Sequence, residues 1–334
     1  MNERHALITG AGMVGAYTAR KLLENGWRVT LLDRQLNNGY LSDVIKDDTG
    51  LTLLEVDLTD IEATERAIRG LGRLDSVVHT AALIAARAQE DILETLEINV
   101  AASLRLACLA KESGAGRLVV ISSWSVYADD QKQAITEESP LKTRFTSYYT
   151  ASKLVLEHML SAFAADQQLP TIALRPTVIY GYGPNLGGSV GSAAIEAQVL
   201  RAMRGDNVTV PDNIISQTEL VYVEDVADAV AAAAGDSPMN ELFMAYNVGS
   251  AETTTVGQLV ETLAEIFPEA NVQVGRGLDY SVIPPRQSQP TELTAMLRDL
   301  VRIPPRTRSA GFRAFVAELQ AAGNENLETL GENK

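Results

Sequence analysis

Residues 6–15 read Ala6-Leu7-Ile8-Thr9-Gly10-Ala11-Gly12-Met13-Val14-Gly15: four residues of strand length, then three glycines spaced two and three apart. Ala16 to Leu23 follows with helical character and is expected to end near Glu24-Asn25-Gly26, with Gly26 as the cap. A second apolar run, Arg28-Val29-Thr30-Leu31-Leu32, ends at Asp33. Strand, glycine turn, helix, strand and acid in this order form the dinucleotide-binding pattern in its proper context. Gly10 permits the tight turn, Gly12 lets the backbone approach a pyrophosphate, and Gly15 lets the helix pack close to the sheet. Met13 and Val14 complete the turn, whose helix N-terminus offers free N–H groups to the phosphates. Asp33 is placed to accept hydrogen bonds from the adenosine ribose hydroxyls. A carboxylate there repels a 2′-phosphate and favours NAD; Arg34 next to it is the one residue that argues for NADP.

Beyond this unit, strands and helices keep alternating. Leu51 to Val56 reads as a strand ending at Asp57, Ile61 to Gly70 as a helix, and Ser76 to His79 as a strand leading to Thr80-Ala81-Ala82. A long helix over Ile92 to Ser113 contains Asn99. The strand Arg117 to Ile121 runs into Ser122-Ser123, Ser147 to Ala165 is helical, and Thr171 to Arg175 is a further strand. The pattern predicts an α/β fold: a doubly wound parallel (Rossmann) sheet with helices on both faces and ligands at the carboxyl ends of the strands. After about residue 180 the alternation loosens, beginning at the glycine-rich run 181–189. Residues 1–180 are therefore expected to form the dinucleotide-binding domain, with segments near 215–250 contributing. Residues 181–320 form a smaller substrate lobe and 321–334 a polar tail.

Composition narrows the classes. A chain of 334 residues with 46% hydrophobic content can bury a large core. A formal charge of −15 speaks against a nucleic-acid or anionic-membrane surface. Cys108 is the only cysteine, so no intrachain disulfide can form; it reads as a small buried apolar residue. His5, His79 and His158 show no metal-ligand spacing, and His79, closing an apolar strand, reads as a packed side chain. Asp225 reads as holding a helix start or a loop. No apolar stretch is long enough to span a bilayer and the first strand begins near Met1. A cytoplasmic protein without metal, nucleic-acid partner or membrane is expected.

Tyr149 and Lys153 lie four residues apart on the expected 147–165 helix, which stacks them on one face. An ammonium beside a phenol favours the phenolate and is expected to lower the Tyr149 pKa, making it an acid/base for an alcohol or carbonyl.

Taken together, these segments resemble the extended short-chain dehydrogenases/reductases, the NAD-dependent epimerase/dehydratase group, over about residues 6–320. The likeness is carried by the glycine turn, Asp57-Leu58, His79-Thr80-Ala81-Ala82, Asn99-Val100, Ser122-Ser123-Trp124-Ser125-Val126-Tyr127 and Tyr149-x-x-x-Lys153. It continues through Arg175-Pro176-Thr177-Val178-Ile179-Tyr180-Gly181, Val221 to Ala227 and Tyr246 to Ser250. The resemblance implies that Asp57 and Leu58 hold the adenine, and that Ala81, Ala82, Asn99, Pro176 and Lys153 line the cofactor path. It also implies that Ser123, Tyr149 and Lys153 are catalytic. Ser123 orients the substrate oxygen, Tyr149 moves its proton, and Lys153 with the cationic nicotinamide stabilises the phenolate. Trp124, Thr177 and Arg286 join Ser123 and Tyr149 at the substrate, with Arg286 taking a phosphate or carboxylate.

The departures concern the substrate. Sugar-nucleotide dehydratases carry an Asp-Glu pair where this chain has Trp124-Ser125, which argues against dehydration. Thr218 stands where many nucleotide-sugar epimerases carry a diphosphate-gripping Arg. The expected activity is NAD-dependent oxidation or reduction at a carbinol of a small sugar-like, polyol or acid substrate. The alternatives are a nucleotide-sugar epimerase that retains NAD and a non-catalytic NAD sensor or scaffold. Family members commonly pair through the helices corresponding to about 92–112 and 148–165, so a homodimer is expected.

Overall fold

The computed structural model describes residues 4–184, 190–213, 215, 217–277 and 288–323. The strands are β1 (His5–Thr9), β2 (Arg28–Asp33), β3 (Leu51–Glu55), β4 (Ser76–His79), β5 (Arg117–Ile121), β6 (Thr171–Pro176), β7 (Val178–Tyr180), β8 (Val208–Pro211), β9 (Gln217–Tyr222), β10 (Phe243–Val248), β11 (Thr253–Thr255) and β12 (Val272–Gly275). The helices are α1 (Met13–Glu24), α2 (Asn38–Val44), α3 (Ile61–Gly70), α4 (Ala85–Glu90), α5 (Ile92–Leu96), α6 (Ser103–Glu112), α7 (Tyr148–Gln167), α8 (Val190–Met203), α9 (Val223–Ala234), α10 (Val256–Ile266), α11 (Thr294–Asp299) and α12 (Arg308–Ala321).

Seven strands form one sheet in the order β10-β6-β5-β4-β1-β2-β3, and every neighbouring pair is parallel. β1 pairs with β2 on one side and β4 on the other, so the winding reverses beside it. Successive side chains of a strand point to opposite faces. Ala6 and Ile8 of β1 therefore pack in one core with α1 and α9, while Leu7 packs in a second with α6 and α7. Burial on both faces is why these strands read as continuous apolar runs. Each fully buried Leu, Ile or Val contributes about 1.5–3 kcal/mol. Because all seven strands run the same way, Thr9, Asp33, His79, Ile121 and Pro176 end along one edge.

Outside this sheet, β9 pairs with β7 in parallel and with β11 antiparallel, and β8 pairs with β12. β10, from the second half of the chain, closes one edge of the main sheet. Buried Glu219 on β9 accepts from Ser250 N (2.6 Å), Ala251 N (2.8 Å), Thr291 N (2.6 Å) and Thr291 Oγ1 (2.8 Å), so one carboxylate gathers two loops. α12 is fastened through Glu318, which accepts from Tyr222 Oη at 2.9 Å and Arg20 Nη1 at 2.9 Å. One side chain differs from expectation. Cys108 is exposed on α6, on the side away from the apolar core. Asp225, expected to hold a helix start or a loop, lies in the first turn of α9 and holds the loop before α12 by accepting from Arg306 N at 3.0 Å.

Among the described residues no helix is long and apolar enough to cross a membrane. None of them forms a cluster of three or more potential metal ligands.

Candidate active site

At the carboxyl edge the glycine turn comes first. Gly10 has φ +97°, and a Cβ on it would lie 2.6 Å from Ala81 N, so both the turn and the approach of the β4 loop require glycine. A Cβ on Gly15 would lie 1.8 Å from Gly10 O. Gly15 thus packs the helix onto its own turn as much as onto the sheet. Gly12 differs: it is exposed, and a Cβ there would meet nothing within 4 Å. Neither a capping side chain nor a first-turn acid covers the start of α1. Its free N–H groups and positive dipole end therefore face open space beside Gly12. Asp33 Oδ2 accepts from Ala11 N at 2.6 Å and Oδ1 from Gln35 N at 3.1 Å, which pins the carboxylate at the end of β2 while leaving it half exposed. Asp57 accepts from Thr59 N (2.9 Å) and Thr59 Oγ1 (2.7 Å). The Thr59 backbone bond, with Arg34 nearby, holds its carboxyl below the usual carboxylate range. Arg34 itself is exposed.

This arrangement fits a dinucleotide. The Gly10–Gly15 turn, with Met13 and Val14, would take the pyrophosphate and Asp33 the adenosine ribose. Asp57 and the half-buried Leu58 would take the adenine, with Ala81 and Ala82 farther along the edge. Asn99, expected on the cofactor path, has its side-chain amide hydrogen-bonded within the chain. Its Oδ1 accepts from Leu83 N at 2.7 Å, and its Nδ2 donates to Leu83 O at 2.9 Å and Ser152 Oγ at 3.0 Å. It holds the loop after β4 against α7, from a turn of π-helix over Glu97–Ala102.

The proton-handling side chains sit at the end of β5. Ser147 caps α7 by accepting from Thr150 N at 3.4 Å, which sets Tyr149 in the first turn and Lys153 one turn on. The Tyr149 hydroxyl lies near the Ser123 side chain, whose influence favours the ionised phenol. Ser123 Oγ also meets Ser125 Oγ at 2.9 Å. Lys153 Nζ donates to Ile121 O at 2.7 Å and lies 5.7 Å from the centre of the Tyr149 ring. The three expected residues are therefore together, but their charges are not as expected. Tyr149 keeps a half-exposed face, yet burial of its hydroxyl pushes its pKa up to about 12, only partly opposed by the nearby Ser123 side chain. Burial pulls Lys153 down to about 8, against the attraction of Glu157. Desolvation outweighs the mutual effect of the pair that the sequence suggests.

His79 is a packed histidine: its Nδ1 meets Thr9 Oγ1 and its Nε2 meets Ser103 Oγ, each at 2.7 Å. Pro176 and Thr177 are buried at the end of β6, and Thr177 Oγ1 has no hydrogen-bond partner. Trp124 packs on the small cluster of Val126, Tyr127, Ile135 and Leu154. Arg286 lies outside the described residues. The sequence reading missed Glu157 and Arg175, buried behind Lys153. The spacing Tyr149, Lys153, Glu157 was the available signal, one residue per turn on a single helix face.

A glycine turn at the reversal of a parallel sheet, with Ser, Tyr and Lys converging at a neighbouring strand end, defines an NAD-dependent enzyme of the extended short-chain dehydrogenase/reductase class. The model of the NAD dependent epimerase/dehydratase family matches residues 6–249, and the chain belongs to that family. It is 28% identical over 300 residues to a UDP-glucose 4-epimerase of Streptomyces lividans, covering 85% of this chain and 88% of the relative. It is 32% identical over 184 residues to a 3 beta-hydroxysteroid dehydrogenase/Delta 5→4-isomerase of Mycobacterium tuberculosis, covering 53% of this chain and 47% of that one. The structure of Thermus thermophilus UDP-glucose 4-epimerase in complex with NAD superposes with a TM-score of 0.75 at 25% identity, covering 96% of this chain and 100% of the other. NAD is the cofactor of this family and, with the open glycine turn and Asp33, of this chain.

Proposed function

We propose that the enzyme oxidises and reduces a carbinol of a sugar-like substrate at the end of β5, with Ser123, Tyr149 and Lys153 handling the proton. The convergence of Tyr149 on Ser123, with the Lys153 ammonium 5.7 Å from the ring, carries this reading. NAD, when bound, supplies the hydride acceptor and donor. Ser123 donates to the substrate oxygen and fixes its place. Tyr149 gives a proton to that oxygen as a carbonyl is reduced and takes one as an alcohol is oxidised. At neutral pH Lys153 is charged, and a positive charge beside the ring favours the phenolate that oxidation needs. Trp124 and Thr177 would border the substrate.

A second reading, a nucleotide-sugar epimerase that keeps its NAD, is favoured by the near full-length match to UDP-glucose 4-epimerases. Thr218 argues against it, because it is buried in β9 opposite Thr254 and offers no cation. A non-catalytic sensor would have no need of the Ser123–Tyr149–Lys153 set. Purified protein assayed with polyols, sugar acids and UDP-glucose separates the readings. NADH release on a small alcohol supports the first. Conversion of UDP-glucose to its 4-epimer without net NADH supports the second. Neither reaction, with NAD bound, would favour the sensor and overturn both.

We further propose a homodimer in the cytoplasm. α5 exposes Ile92, Leu93 and Leu96, and α7, against which it packs, exposes Tyr148, Val155 and Met159. Apolar residues gathered on one exposed helical face favour a second copy of the same face. The single cysteine gives no reason for an oxidising compartment.

A further inference from the structure

We propose that Glu157 is a positioning residue for this site: bound to Ser122 and Arg175, it locks α7 to the ends of β5 and β6 and keeps the Lys153 ammonium charged beside Tyr149. The inference rests on the proton-transfer reading of Tyr149. The geometry is a buried ladder. Tyr149, Lys153 and Glu157 occupy one face of α7 at successive turns. Ser122 Oγ donates to Glu157 Oε1. Arg175 Nε donates to Oε1 at 3.1 Å, and Arg175 Nη2 to Oε2 at 2.6 Å. Glu157 and Arg175 are 3% and 5% exposed, so the pair is held out of water.

Each end of the ladder reaches the site. Ser122 stands between Ile121, whose carbonyl receives Lys153, and Ser123, which meets Tyr149. A helix anchored to Ser122 therefore sets the distance between Ser123 and Tyr149. On the other side Arg175 Nη1 donates to Tyr127 Oη at 2.8 Å, and Tyr127 Oη donates to Asn247 Oδ1 at 2.7 Å. Asn247 in turn donates to Ile135 O at 3.0 Å and to Glu137 Oε1 at 2.8 Å. One network thus joins the ends of β5, β6 and β10.

The groups facing Lys153 are few. Tyr149 and Glu157 come from its own helix and His79 from β4; Arg175, Tyr127 and Glu137 lie beyond Glu157. His79 is neutral, because burial holds its pKa near about 3. Glu157 is the facing group whose charge favours the ammonium, and burial alone would deprotonate Lys153 more readily.

The test uses the full-length protein, with and without NAD, labelled with carbon-13 at the lysine Cε. The Lys153 resonance is assigned from the spectrum of Lys153→Arg. In Glu157→Gln its titration should move to lower pH by about one unit or more. Unchanged titration would overturn the proposal and leave Glu157 purely structural. Should Glu157→Gln fail to fold because Arg175 is left unpaired, Glu157→Gln/Arg175→Met removes both charges and is read by the same shift. The readout needs no substrate, so it fails or succeeds independently of the turnover assays that test Tyr149.

Discussion

Burial acts in opposite directions on the charges of neighbouring side chains at the carboxyl edge. It keeps Tyr149 protonated and draws Lys153 towards neutrality, and it holds His79 neutral outright. The residue types and spacing of the catalytic set were legible, since Tyr149 and Lys153 four apart must share a helix face. Their charges were not, because desolvation depends on the packing of β4, β5 and α7 around them. For the same reason the partners of Asn99 are not legible: nothing local shows that its amide pairs with Leu83. His79 carries a stability prediction. Its folded pKa, about 3, lies below the unfolded value of 6.5. Between the two the unfolded chain binds more protons, so stability is lost as pH falls through this window. The loss is about 1.4 kcal/mol per pH unit for this group, on the order of 3 kcal/mol between pH 6.5 and 4. Thermal melts of wild type and His79→Asn across this range should show a flatter acid decline in the variant. Parallel declines would contradict the assignment.

At the level of elements, the inner strands of the first half announce themselves because both faces are buried, while the edge strand β3 keeps exposed side chains. The run 6–9 and its counterparts have no polar alternation to confuse with surface strands. α7 was legible from its cap at Ser147 to within a few residues of its end. The long helix expected over 92–113 is present as one continuous run, α5, a π-turn and α6, and the π-turn carries Asn99, whose Oδ1 accepts from Leu83 N. That widened turn meets a partner sixteen residues away, beyond the reach of helical periodicity. The second half was less readable. β7, β8, β11 and β12 are three or four residues long and pair with strands distant in sequence. Pairing between remote short segments leaves little periodic signal. Glu219 likewise resembles any strand carboxylate until Ser250, Ala251 and Thr291 close around it.

For the whole molecule, parallel winding brings the glycine turn, Asp33, Asp57 and Ser123 to one edge, while the proposed partner face lies on α5 and α7. α7 therefore belongs to both, presenting Lys153 inward and Met159 outward. Light scattering at micromolar concentration should give twice the chain mass for wild type. Leu93→Glu/Met159→Lys should shift it to a monomer; a wild-type monomer would refute the pairing. Proton transfer by Tyr149 in NAD chemistry is read out by comparing Tyr149→Phe with wild type for NAD binding and for turnover of the substrate found in the screen. Tyr149→Phe should keep NAD affinity within a few-fold of wild type and lose turnover by at least about a hundredfold. Wild-type turnover in Tyr149→Phe would rule Tyr149 out as the acid/base.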